Sequence, residues 1–199
     1  VSAREQSVRG TVTGPDPRGP LVLDTRALHL PRRPGSMVTV RRTVPAPGFM
    51  GIAVARVPEG SPIEFDARLE SVLEGVLVTG VARLGVEAEC ARCLDPLHWD
   101  EEVDFSELFV YPATDARGAV VEEPAGDDEP MVVDDCIDIE SLLRDAVVLS
   151  LPMAPVCRDD CAGLCPQCGV RLDDAPGHGH QNTDPRWSAL AGLLDPDQQ

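Results

Sequence analysis

The stretch SPIEFDARLESVLEGVLVTGVARLGVEAECARCLDPLHWDEEVDFSELFV, residues 61–110, decides the fold. Ile63, Phe65, Ala67 and Leu69 alternate with Glu64, Asp66, Arg68 and Glu70 until Val72 breaks the register, the period-2 pattern of a strand with one buried face. Gly75 turns the chain into VLVTGVARLGVEAECARC, rich in β-branched residues, and Pro96 opens LHWDEEVDFSELFVY, which alternates again at Leu97, Trp99, Val103 and Phe105. Three long strands joined by short turns predict an antiparallel meander.

Working outward, Ile52, Val54 and Val57 suggest one more strand, and LVLDTRALHL (21–30) a short strand or docking segment. In PRRPGSMVTVRRTVPAP (31–47) two arginine pairs, Arg32–Arg33 and Arg41–Arg42, flank a Pro-Gly turn and a short apolar stretch; a solvated rim and a phosphate contact both fit them. On the other side, Asp138 is suited to N-cap a helix over 139–151, with Ile139, Leu142, Leu143, Ala146 and Val147 on one stripe and Pro152 as the stop. Asp184 and Pro185 open a last helix whose stripe is Trp187, Leu190, Leu193 and Leu194. The expected class is therefore α+β: a β-meander or partly closed sheet, one packed amphipathic helix, and a C-terminal metal-binding module with a short helix. Composition divides the chain into a mobile arm (1–19), a β-rich domain (20–112), an acidic flexible loop (113–135), the packed helix (136–156) and the C-terminal module (157–199).

The 199 residues are 43% hydrophobic but only 4% aromatic, with 19 prolines and 17 glycines, a balance that favours strands and turns over a helical bundle. No run approaches the length of a membrane span, and the first residues lack the apolar region of a secretory signal, so a cytoplasmic location is expected. Net charge is −17, which excludes a whole-surface nucleic-acid binder, since such a protein needs a positive footprint to displace counterions. The charge is uneven: residues 1–45 carry eight arginines and three acids, a local +5, leaving −22 on the rest.

Cysteines stand at 90, 93, 136, 157, 161, 165 and 168. In a reducing compartment such clustering reads as metal ligation. Cys165-Pro-Gln-Cys168-Gly169 is the CPxCG form of a zinc knuckle: two thiolates in a tight turn whose backbone N–H groups point at sulfur, with a glycine free to take positive φ. His178 and His180 follow at a spacing that would complete a tetrahedral structural site. Cys157, Cys161, Cys90 and Cys93 would then form a second, four-thiolate site joining the sheet to the C-terminal segment. The rival partition surrounds one ion with Cys157, Cys161, Cys165 and Cys168 and leaves Cys90 and Cys93 as thiols; spacing does not choose between one zinc ion and two. A redox role for Cys90-x-x-Cys93 is disfavoured, because that chemistry uses a helix N-terminus and Leu94-Asp95-Pro96 leads into a strand. Cys136 reads as an apolar core residue.

Five motifs in order, RRPGSM, CARCLDP, LPMAPVC, CAGLCPQCG and DPRWSAL, resemble the YceD family of bacterial and plastid proteins, over about residues 20–195. Members with the C-terminal module commonly carry a CxC where His178 and His180 stand in this sequence. The resemblance implies a part in accumulation of large-subunit (23S) ribosomal RNA.

Two functions follow as expectations. One is a non-enzymatic factor in large-subunit assembly, acting on precursor ribosomal RNA or a basic ribosomal protein, with Arg32, Arg33, Arg41 and Arg42 as phosphate contacts. The other is a zinc-containing regulatory or nucleic-acid-binding protein unrelated to ribosomes. The sequence contains no nucleophile elbow, phosphate loop, HExxH or paired-carboxylate signature, and a site filled by four protein ligands leaves no position for a small-molecule substrate.

Overall fold

The computed structural model describes residues 15–113, 130–180 and Arg186. In chain order its elements are β1 (Val22–Asp24), β2 (Met37–Pro45), β3 (Met50–Ile52), β4 (Ala55–Val57), β5 (Pro62–Ser71), β6 (Gly75–Glu89), β7 (Pro96–Val110), β8 (Cys136–Asp138) and α1 (Glu140–Ser150), with a 3-10 turn at Leu172–Asp174. The class is α+β, a mostly antiparallel sheet with one helix.

The alternating stretch becomes the meander β5-β6-β7. Ile63 faces Leu84 and Ser71 faces Val76 in the first pair, and Gly75 to Glu89 run one-to-one against Val110 to Pro96 in the second. β2 adds to the far side of β5, and the β3-β4 hairpin continues that side of β6 beyond the end of β5. β6 is therefore central and β7 lies along one edge. Gly80 is required at the middle: a Cβ there would lie 2.6 Å from Cζ of Phe105, its cross-strand neighbour.

Two stretches fold differently from their reading. MVTVRRTVP forms a nine-residue strand, anchored by the buried Val40 and Val44. The single strand expected over 52–57 is instead two short strands turning at 53–54, with Met50 opposite Val57.

One face of the sheet is wet and the other carries the core, as one-sided antiparallel sheets do. Phe65, Leu69 and Val78 from the sheet meet Leu143 and Val147 of α1 and Leu23 and Ile137 of the β1-β8 ribbon. The helix starts at Glu140, with Ile139 and not Asp138 at its N-cap, although Asp138 Oδ1 accepts the Glu140 N–H at 2.9 Å from the end of β8. It stops because Leu151, preceding Pro152, is held extended (φ −69°, ψ 135°). The end of the acidic stretch is also described: Val110 N–H donates to Pro130 O, and Val132 is buried. Residues 1–14 of the expected arm, 114–129 of the acidic loop, and Trp187, Leu190, Leu193 and Leu194 of the expected last helix lie outside the described residues.

Candidate metal centre

Two groups of four ligand atoms, each within 4.8 Å of one another, gather around the β6-β7 turn and the segment after α1: Cys90, Cys93, Cys157 and Cys161, and Cys165, Cys168, His178 and His180. Either group could hold a metal ion.

The first group is built on a turn tight enough to force a residue into left-handed conformation. Cys90 N–H donates to Asp95 O and Leu94 N–H to Cys90 O, with Leu94 at φ 62°. The C-terminal segment docks on this turn by backbone bonds, Ala91 N–H to Pro155 O and Leu164 N–H to Arg92 O, while Arg92 Nη1 donates to Asp159 O and Cys161 O. Gly163 allows that approach: it sits at φ +78°, and a Cβ on it would come within 2.9 Å of Arg92 O. Arg171 pairs with Asp95 from the other side.

The sulfurs lie 4.0 Å (Cys90–Cys161) and 3.7 Å (Cys93–Cys157) apart. A tetrahedron with metal–sulfur bonds of about 2.3 Å has edges of about 3.8 Å, so the spacing fits four thiolates on one ion and is far too long for disulfides. The electrostatics agree with the geometry. N–H groups of Cys93, and further those of Arg92 and Cys157, pull the Cys90 thiol down to about 6 against the effect of burial. At Cys93 the N–H of Asp95 acts downward, yet burial and the sulfurs of Cys90, Cys157 and Cys161 together push it up to about 12. Burial, then Cys161, raises Cys157. Four sulfurs this close resist carrying four negative charges until a divalent cation is among them.

The second group is local. Cys165 N–H donates to Val170 O and Gly169 N–H to Cys165 O, closing the knuckle with Gly169 at φ 71°. N–H groups of Gln167 and Cys168 pull the Cys165 thiol down to about 6. Nε2 of His178 and of His180 lie 3.3 and 3.2 Å from Cys168 Sγ and 2.9 Å from each other, so both rings aim the same nitrogen at one point. Thiolate and imidazole donors in this arrangement suit zinc.

The four arginines do not form one patch. Arg32 joins Arg26 on the carboxylate of Asp135 and lies over the Tyr111 ring, 4.6 Å from its centroid. Arg41 pairs with Asp66, while Arg42, next along β2, donates to Val22 O at 3.2 Å. Arg33 is exposed and forms no ion pair among the described residues. The sequence reading missed Asp135, the anion that holds Arg32 from 103 residues away, and the Asp95–Arg171 pair, because separation in sequence hides both.

The family model described as "Large ribosomal RNA subunit accumulation protein YceD" matches residues 78–194, a span that contains all eight ligand candidates. The chain belongs to the YceD family. The uncharacterized protein Rv2926c of Mycobacterium tuberculosis is 45% identical over 178 residues, covering 89% of this chain and 83% of its own. The uncharacterized protein ML1660 of Mycobacterium leprae is 40% identical over 178 residues (89% and 79%). The uncharacterized protein YlbN of Bacillus subtilis is 31% identical over 112 residues (55% and 61%). No solved structure matches the chain significantly. Among the described residues, no helix is long and apolar enough to cross a membrane.

Proposed function

We propose that the protein is a non-enzymatic, cytoplasmic factor of large-subunit ribosome biogenesis that supports accumulation or processing of 23S ribosomal RNA, with structural zinc held by both clusters. Membership of a family named for large ribosomal RNA subunit accumulation carries the reading, and supports a role in ribosome biogenesis in general. Zinc is favoured by the donor sets, four thiolates in one cluster and two thiolates with two imidazoles in the other, at the spacing of a tetrahedral ion. Four protein donors leave no open position at which zinc would polarise a substrate or activate water, so the ion of the first cluster holds the C-terminal segment to the sheet and that of the second organises its own loop.

The charge supports a division of contacts. A body carrying −22 outside residues 1–45 repels ribosomal RNA and attracts a basic ribosomal protein. The protein accordingly meets the large-subunit precursor at a basic protein or an RNA–protein junction, with Arg32, Arg33, Arg41 and Arg42 as its phosphate contacts. Depletion followed by sedimentation of ribosomal particles tests the reading. Mature large subunits and their 23S RNA should fall while small subunits stay near normal; an unchanged large-subunit profile on complete loss would contradict it.

A further inference from the structure

Among the described residues, no strand pairs along the outer edge of β7. Val110 sends its N–H to Pro130 O and accepts from Val132 N–H, away from β6, whereas the Tyr111 N–H returns to Glu74 O on the β6 side. Register against β6 is one-to-one back to Pro96. Every second residue before Val110, namely Leu108, Ser106, Asp104, Glu102, Asp100 and His98, therefore points its N–H and C=O away from the sheet. Among the described residues these groups have no backbone partner, and only the Leu108 N–H is satisfied, by Glu107 Oε1 at 3.2 Å. Residues 130–132 already pair with this edge for one rung, in parallel, at Met131–Val110.

Beside the open edge runs a groove of about 760 Å³ between β7 and α1. Phe105 and Phe109 come from the strand, and Leu142, Ala146 and the 85% exposed Leu149 from the helix. Its charged lining is entirely acidic, Asp104, Glu107 and Asp145, and none of the three forms an ion pair among the described residues. Unpaired strand edges otherwise invite aggregation, and acids along them limit it. An edge strand lying beside a helix-walled apolar groove is also the geometry by which an extended peptide adds to a sheet, its main chain hydrogen-bonding the edge and alternate side chains entering the groove.

We propose that β7 and α1 form a strand-addition site for an extended segment of a partner protein in which basic and apolar residues alternate. The inference deepens the functional reading above, on which the ribosomal identity of that partner rests. Charge selects the occupant. A second copy would set Asp100, Glu102 and Asp104 against the same acids. Residues 114–129 of this chain carry six acids and one arginine, and RNA is a polyanion, so the same repulsion meets both.

The test uses the full zinc-loaded chain and two synthetic ten-residue peptides, one alternating lysine and valine, the other glutamate and valine. The lysine peptide should bind and slow amide hydrogen exchange at Asp104 and Ser106, while the glutamate peptide should not bind at the same concentration. Ser106→Pro removes an outward N–H, a change an edge strand tolerates, and should weaken binding by about tenfold or more with melting temperature and metal content unchanged. Joint replacement Asp104→Lys, Glu107→Lys and Asp145→Lys should weaken it by about tenfold without touching the core, and decides the matter should the proline variant misfold. Binding that leaves β7 amides unprotected or survives both variants would overturn the site. So would protection of β7 by 23S RNA, a dimer dissolved by Ser106→Pro, or protection in the free protein that disappears when residues 114–129 are replaced by a Gly-Ser linker. A wild type that fails to bind the lysine peptide yet cosediments with large-subunit precursors overturns the site and spares the ribosomal reading. A wild type that binds the peptide as described and never cosediments does the reverse.

Discussion

The two clusters are neighbours in sequence and opposites in construction. Cys90 and Cys93, both buried, reach Cys157 and the buried Cys161 across 64 to 71 residues, from a turn in the sheet to the segment after the helix. Cys165, Cys168, His178 and His180 lie within sixteen consecutive residues, and all but Cys165 are partly or fully exposed. An ion in the first joins two parts of the fold. An ion in the second organises only its own loop. Metal binding that closes a long loop and sits in a buried site couples to global stability, whereas a local site couples to local unfolding.

Breaking the buried cluster should have the largest effect. In Cys90→Ser with Cys161→Ser, one metal equivalent should be lost and stability should fall by at least ~3 kcal/mol, since structural zinc contributes ~10–16 kcal/mol to folding of small zinc peptides. Denaturant melts and limited proteolysis across 152–180 would show it. A variant with wild-type stability would mean that the long-range site does not hold the C-terminal segment.

A smaller effect is expected at the exposed cluster. Cys165→Ser with Cys168→Ser should release the other equivalent and speed proteolysis within 162–180, while the stability of the meander changes by less than about 1 kcal/mol. Collapse of the whole fold in this variant would erase the distinction between the two sites.

The smallest change concerns the pair that ties the regions together. The hydrogen bond from Arg171 holds the Asp95 carboxyl below its ordinary value, with the Cys93 thiol adding to it. A depressed folded-state value contributes stability above the ordinary carboxylate pKa of about 4, and that contribution disappears as pH falls through the lower, folded-state value. Asp95→Asn should therefore flatten the acid limb of the stability curve and leave metal content at neutral pH unchanged. An acid limb identical to the wild type's would remove Asp95–Arg171 from the account.

The same contrast between local and distant information explains what was legible beforehand. Alternation at Ile63–Leu69 and at Leu97–Phe105 exposed the meander because each strand carries its own pattern. β2 escaped because its inner face has only Val40 and Val44 fully buried, with Val38 half-buried beside them, and the Arg41–Arg42 pair masks the alternation. The β3-β4 hairpin escaped because its turn, Ala53-Val54, contains none of the usual turn formers. At the site, Cys165-x-x-Cys168 and the two histidines were readable from spacing. The company of Cys157 and Cys161 was not, since it is decided by backbone bonds such as Ala91 to Pro155 and Leu164 to Arg92 that only the fold creates. Asp135 and its two arginines were invisible for the same reason, and so was the open side of β7.

Native mass spectrometry of the intact protein, with the two double-serine variants beside it, tests the central claim of two separate four-ligand zinc sites most directly. The account predicts two zinc ions in the wild type and one in each variant, the buried site remaining filled when Cys165 and Cys168 are changed and the exposed site remaining filled when Cys90 and Cys161 are changed. One zinc in the wild type that disappears in the Cys165 and Cys168 variant, with Cys90→Ser and Cys161→Ser costing none, would contradict it.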